Sequence, residues 1–293
     1  KSASFQGCLV RDTTQSARGA TGDMIGNYIL KDGDIANPHF IGAPANFACD
    51  FIGNIFDMVG TRSADFGDCI LGASFAGTFN VKENLFLRDD SATISLLGSS
   101  GQTWIYEGNT AKYQLNLNET VSGYAGMVDV CRSNLHFDTG TADHYLVNNV
   151  GGAMVNDVIT PANLDYNAIF NVLAGSGGNG VNIPMSTTHS ANSIIADPEF
   201  VDSTRNIETW DASVGGTGTV GNAMTELMKL NTADHNPAYT VDAMMTWVKA
   251  GFAPTNPVYQ YAAYDGGTIG AIAFSLIALS LTAPDTVTHG VAT

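Results

Sequence analysis

A chain of 293 residues can bury roughly 75% of its unfolded surface, so it holds a sizeable core without staples. Apolar residues reach 44% and glycine occupies 32 positions, while charged residues are only 14% against a usual share of about 25%; that mixture suits short strands with many turns and not a helical bundle. The net charge of −16, with 12 scattered cations, excludes a nucleic-acid-binding face, and no apolar run nears the ~20 residues that span a bilayer.

In chain order, Phe51–Val59, Phe79–Leu87, Tyr113–Leu117, Val128–Phe137 and Tyr145–Val150 mix apolar, β-branched and polar residues over short spans, each followed by turn residues. They read as strands, and no amphipathic helix separates them, which argues against βαβ units. An asparagine followed by bulky apolar residues recurs at Asn54, Asn84, Asn134, Asn167 and Asn192, with gaps of 30, 50, 33 and 25 residues. If the 50-residue gap holds two units, the chain repeats every 25 to 33 residues. Short strands at that period point to a solenoid of stacked units, a parallel β-helix, in which bend asparagines form amide ladders; a β-sandwich or jelly roll is the alternative. Cys8, Cys49, Cys69 and Cys131 lack the close spacing of a zinc site and read as four buried free thiols, two disulfides of unassigned pairing being the alternative.

Further on, Ala223–Leu230 and Val241–Ala250 carry helical spacing, the second preceded by Thr240 as N-cap and followed by Gly251. These helices are expected to cover the open end of the stack, which otherwise exposes edge strands and an apolar core. Leu276–Thr293 is strand-like again, and with Lys1 opening inside strand-like sequence the chain reads as part of a longer polypeptide.

The stretch NSIIADPEFVD (192–202) resembles the final-coil signature of right-handed parallel β-helix proteins of the pectate-lyase-like superfamily. The segment 239–274 resembles the closing part of such repeat proteins, with a D-G-x-x-I-G-A element at Asp265, Gly266, Ile269, Gly270 and Ala271. The resemblance covers residues 45 to 275 and implies an all-β solenoid, a right-handed parallel β-helix with a small C-terminal helical cap. Its expected divisions are coils over 1–202, a capping region over 203–275, and a linker or further β segment over 276–293.

Two nucleotide-loop matches dissolve on inspection. Gly175, Gly177 and Gly180 spell G-x-G-x-x-G after the strand-like Tyr166–Leu173, yet Pro184 and no helix follow; a phosphate cradle needs a helix N-terminus there. Gly216, Gly218 and Gly221 precede a helix but follow no buried strand. Both read as turns. The six histidines lack metal-pair spacing and read as surface or hydrogen-bonded residues.

Carboxylates cluster at Asp65/Asp68, Asp89/Asp90 and Asp138/Asp143. Lyases of the resembled superfamily use acidic calcium sites beside a Lys or Arg base, which makes Arg88, Asp89 and Asp138 the catalytic candidates and Asp89, Asp90 and Asp138 the calcium candidates; no other cofactor is expected. Trp104, Tyr106 and Tyr113 lie in a polar stretch and are candidates for stacking on sugars, inward packing being the alternative. The expected function is a structural or adhesive surface protein, a phage tail spike, fibre or head decoration that binds host glycans. The alternatives are an extracellular polysaccharide lyase or glycosidase and a bacterial surface adhesin repeat. Expected partners are other virion or cell-surface proteins, polysaccharide, and further copies in a homo-oligomer such as a trimer, at a virion surface or outside a cell.

Overall fold

The repeat turns on two residues, one that tolerates a positive φ and one that carries an amide. The computed structural model describes residues 5–12, 17–18, 23–32, 41–42, 49–59, 77–87, 102–112, 115–117, 128–137, 147–149, 164–170, 192–229 and 232–273. Within these, strands assemble into a seven-stranded and an eight-stranded sheet, and every strand pairing is parallel. Two small parallel pairs join Ala17–Arg18 to Ile41–Gly42 and Leu115–Leu117 to Val147–Asn149.

Each repeat passes from one large sheet to the other through a corner. The single strand expected over Phe51–Val59 is therefore two strands, Cys49–Ile52 and Ile55–Val59, broken at Gly53 and Asn54. Phe79–Leu87 and Val128–Phe137 divide in the same way. The first corner residue lies in the left-handed region, with φ between 56° and 66° at Gly7, Gly26, Gly53, Glu83, Gly108, Ser133 and Tyr166. The second is the ladder position: Asn27, Asn54, Asn84, Asn109, Asn134 and Asn167 are all fully buried.

Their amides form one continuous column. Asn54 donates its backbone N–H and its Nδ2 to Asn84 Oδ1, at 2.9 and 3.0 Å. Asn84 does the same to Asn109, Asn109 to Asn134, and Asn134 to Asn167. The second Nδ2 hydrogen goes to a main-chain carbonyl one repeat back, as from Asn84 to Phe51 O at 2.8 Å. The residue after each amide donates its N–H to the preceding ladder residue's carbonyl, as Leu85 does to Asn54. Buried polar groups are costly unless paired, and here the corners pair them. Asn109 fills the 50-residue gap with two steps of 25. The final rung corrects the expected tag: Asn167 N–H donates to Ser193 Oγ, while Asn192 is exposed and bonds Asp165.

The eight-stranded sheet is apolar on both faces. Ile29, Phe56, Phe86, Ala111, His136 and Ile169 stand in register on one face. There Phe56 stacks on Phe86 at 4.8 Å, and His136 meets Tyr106 of the other sheet across the interior, with 3.4 Å between Nε2 and the hydroxyl. The opposite face carries Tyr28, Leu30, Ile55, Leu85, Leu87 and Phe137, all buried. Covering them are α1 (Ile207–Ser213), α2 (Val220–Leu227) and α3 (Val241–Gly251). Ile207, Trp210, Met244, Val248 and Phe252 form one cluster with that face, from Leu9 to Phe170. The helices thus lie along the flank of the sheet, not over an end of the stack as expected. Runs such as YIL and LFL do not alternate, and a sheet apolar on both sides needs a second cover.

Expected helix boundaries shift slightly: 223–230 becomes Val220–Leu227, and 241–250 extends by one residue with Thr240 as N-cap. Helix α1 was not anticipated. Its capping box is Asn206 with Thr209: Asn206 Oδ1 accepts from the N–H of Glu208 and Thr209, and Thr209 Oγ1 accepts from Asn206 N–H. The glycines at 216 and 218 do form the turn into α2, wrapped around Asp211. A Cβ on Gly216 would meet the Asp211 carboxylate at 2.3 to 2.5 Å.

Candidate functional site

Glycine is the cheap residue at a left-handed corner; a non-glycine residue there costs about 1–2 kcal/mol. Three corners accept that cost, and each places a side chain against the C-terminal segment or its docking lysine. Ser133 Oγ accepts from Tyr264 N–H at 3.0 Å, while its carbonyl accepts from Gly270 N–H at 2.8 Å. The Tyr166 ring meets Tyr264 edge-on, 5.4 Å between centroids. Glu83 lies close enough to Lys249 for its charge to favour the ammonium, whose Nζ donates to Gly53 O at 2.6 Å. Burial is the larger influence on Lys249 and pulls its pKa below the ordinary value. The D-G-x-x-I-G-A element belongs to the same docking: Ile269 is fully buried, Gly270 sits against Leu135, and Ala271 N–H donates to Thr110 Oγ1.

Just before the corners, on the outer face of the seven-stranded sheet, Lys82, Glu107, Arg132 and Asp165 pair in register. Their charges alternate along the row. Glu107 lies 3.0 Å from Lys82 Nζ and 2.5 Å from Arg132 Nε. Burial would raise the Glu107 pKa, but the hydrogen bonds from Arg132 and Lys82 hold it below the usual carboxylate value. The loop that crosses the Ser133 corner lays Tyr264 over Arg132, with the guanidinium carbon 3.7 Å from the ring centroid. Tyr264 keeps 56% of its surface in water.

Comparison with protein-family models, with curated proteins and with solved structures returns no match. The site therefore stands on its own geometry.

The sugar-stacking assignment of Trp104 and Tyr106 is corrected. Both are buried, and Trp104 stacks on Phe79 at 4.5 Å. Strand parity explains it: in Gln102–Glu107 the polar residues Thr103 and Glu107 face out, and the aromatic ones alternate with them. Tyr113 and the catalytic and calcium candidates Arg88, Asp89, Asp90 and Asp138 lie outside the described residues, as do Asp65, Asp68 and Asp143. Among the described residues no group of three or more His, Cys, Asp or Glu is placed to hold a metal ion.

The expectation of four buried thiols is corrected at one position: Cys8 is free but exposed, whereas Cys131 is free and buried. Burial pushes the Cys131 thiol up to about 12, so it stays protonated and inert. The side chain of Cys49, and Cys69 as a whole, lie outside the described residues.

Two polar clusters tie the helical cover down. The Tyr28 hydroxyl donates to the fully buried Asp57 at 2.5 Å and accepts from Ile207 N–H at 3.1 Å, joining sheet to α1. Asp211 accepts from Gly218 N–H, Asn222 Nδ2 and Tyr239 OH at 2.8 to 2.9 Å, and from Thr219 N–H at 3.3 Å. A cavity of about 290 Å³ opens beside α1, floored by Leu87, Phe137 and Phe252 and rimmed by Lys112, Ser203 and Arg205. Arg205 is already committed there, stacked over Trp247 and donating to its carbonyl at 3.0 Å.

Proposed function

We infer that the chain is a right-handed parallel β-helix of the pectate-lyase-like kind, flanked by a helical cover, and that it serves as a structural, adhesive module of a surface. The setting we favour is a phage virion, as a tail spike, fibre or head decoration that touches host glycans, with other virion proteins and further copies of itself, in a trimer, as partners. One observation carries this reading. The buried amides run through the stack as a single framework, with each Asn side chain from Asn27 to Asn134 bonded both to the next repeat and to the main chain of the one before. Such polar groups stiffen a scaffold, whereas acid–base chemistry needs groups poised to exchange protons. Fold alone does not assign the role.

The test is incubation with neutral and acidic polysaccharides, with and without calcium, following unsaturated products by ultraviolet absorbance and new reducing ends chemically. Binding without turnover is the expected result. Turnover that disappears in Arg88→Ala or Asp138→Ala overturns the reading in favour of a lyase or hydrolase.

A further inference from the structure

We propose that Tyr264, held on Arg132, is a sugar-stacking platform for a neutral pyranose-containing glycan; this rests on the adhesive reading above and gives it a site. The aromatic residues first suited to that task, Trp104 and Tyr106, are inside the core. Tyr264, by contrast, is an exposed aromatic that the fold lays beside the charged row of the sheet face. It is fixed from three directions: its N–H is bonded to Ser133 Oγ, its ring lies over the Arg132 guanidinium, and Tyr166 meets it edge-on. A tyrosine ring fixed in this way loses little further freedom on binding, which is what lets an aromatic anchor carry affinity. Its apolar face suits the C–H face of a pyranose, and its hydroxyl suits the wet rim.

The polar groups around it fit the hydroxyls of a sugar. Arg132 gives Nε to Glu107 and makes no other hydrogen bond among the described residues, so its terminal nitrogens remain donors. Glu107 and Asp165 flank it on the neighbouring strands, ~4.8 Å to either side. Glu107 is held by Lys82 and Arg132, and Asp165 by Tyr166, Asn192 and Ser193, so the donors of Arg132 are the polar groups this row offers a sugar hydroxyl. Charge decides between neutral and acidic ligands. The row Lys82, Glu107, Arg132, Asp165 carries two positive and two negative groups, and the whole chain carries −16. A polyanion meets no local attraction to offset that long-range repulsion. A protein partner would meet a charged, polar sheet face around the ring in place of the apolar centre that interfaces prefer.

The test is affinity electrophoresis of the full chain in gels containing dextran or galactomannan, with polygalacturonate for comparison. Retardation by a neutral polymer is expected, with affinity about tenfold weaker in Tyr264→Ala, as for an aromatic hot spot, and nearly unchanged in Tyr264→Phe. Because Tyr264→Ala also removes contacts that dock the C-terminal segment on the Ser133 and Tyr166 corners, the wild-type chain is also nitrated with tetranitromethane and the modified tyrosines are mapped. The neutral polymer should protect Tyr264, while Tyr261, 75% exposed, reports access of the reagent. Retardation with undiminished nitration of Tyr264, or full binding by a folded Tyr264→Ala, overturns the platform and leaves the adhesive reading standing. Failure to bind any polymer overturns both, and retardation by polygalacturonate alone overturns the choice of a neutral sugar.

Discussion

Replacing Asn84 by alanine removes one rung from the middle of the ladder and nothing from the surface. Asn84 Oδ1 accepts from Asn54 N–H at 2.9 Å and from Asn54 Nδ2 at 3.0 Å, so both donors lose their partner. Its Nδ2 serves Phe51 O and Asn109 Oδ1, and those acceptors each lose a bond. All of this is out of reach of water, since Asn54, Asn84 and Asn109 are fully buried. A buried polar group left unsatisfied costs ~1–3 kcal/mol. With two stranded donors and a small void, the loss is about 3–5 kcal/mol, a large share of a total stability of ~5–15 kcal/mol. The assay is equilibrium denaturation in urea, comparing midpoints at a common slope. Asn192→Ala is the control: it carries the same sequence tag but is exposed, and should change stability by less than about 0.5 kcal/mol. Equal effects at the two positions, or a loss below about 1 kcal/mol at Asn84, would refute the reasoning.

The Asp211 hub makes stability depend on pH. Burial alone would raise the Asp211 pKa, but hydrogen bonds from Asn222, Tyr239, Gly218 and Thr219 hold it below the ordinary value. Its folded value thus lies below the unfolded one of ~3.9, so its contribution is complete above the unfolded value and is lost as pH falls through the folded one. Thermal melts of wild type and Asp211→Asn should differ most near neutrality and converge as pH falls through the folded Asp211 value; a constant gap would contradict this. At the corners, Gly26→Ala should cost about 1 kcal/mol, because φ is +63° while the added Cβ would have nothing within 4 Å. Glu83→Gly should be neutral or stabilise by up to about 1 kcal/mol, since it relieves the same strain; a loss would mean that the charge attraction to Lys249 outweighs the conformation.

The corner asparagines were legible because a buried amide at a bend leaves a local mark, a polar residue before an apolar run. That mark is incomplete. Asn27, in GNYIL, has it as clearly as Asn54, whereas Asn109 precedes only Thr110 and Ala111 and shows itself by spacing alone. Asn192 has the mark yet yields the position to Ser193, because the register is set by pairing of Ala168 with Ile194, which no local pattern reveals. Trp104 and Tyr106 show the opposite case: the polar make-up of their stretch suggests an outer surface, whereas the two-residue period, with Thr103 and Glu107 facing out, turns the rings between them inward. Helix α1 is only seven residues long, too short for a periodic signal, and only its capping residues give it away. The Tyr264 platform joins residues 131 positions apart across the Ser133 corner, and such a meeting exists only in the folded chain.

Stacks built from repeats commonly fray, because each unit is stabilised by its two neighbours alone and the ends melt first. The helical flank of this chain changes that arithmetic. One apolar cluster runs from Leu9 through Ile55 and Leu85 to Phe170 and closes on α1, α2 and α3, so a single element grips both the early and the late repeats. An end unit that peels away also exposes part of the helices that the middle units depend on. The flank therefore acts as a splint, binding a row of separate units into one that melts together, with an end-to-end cooperativity that the ladder, passing its hydrogen bonds only from neighbour to neighbour, does not supply.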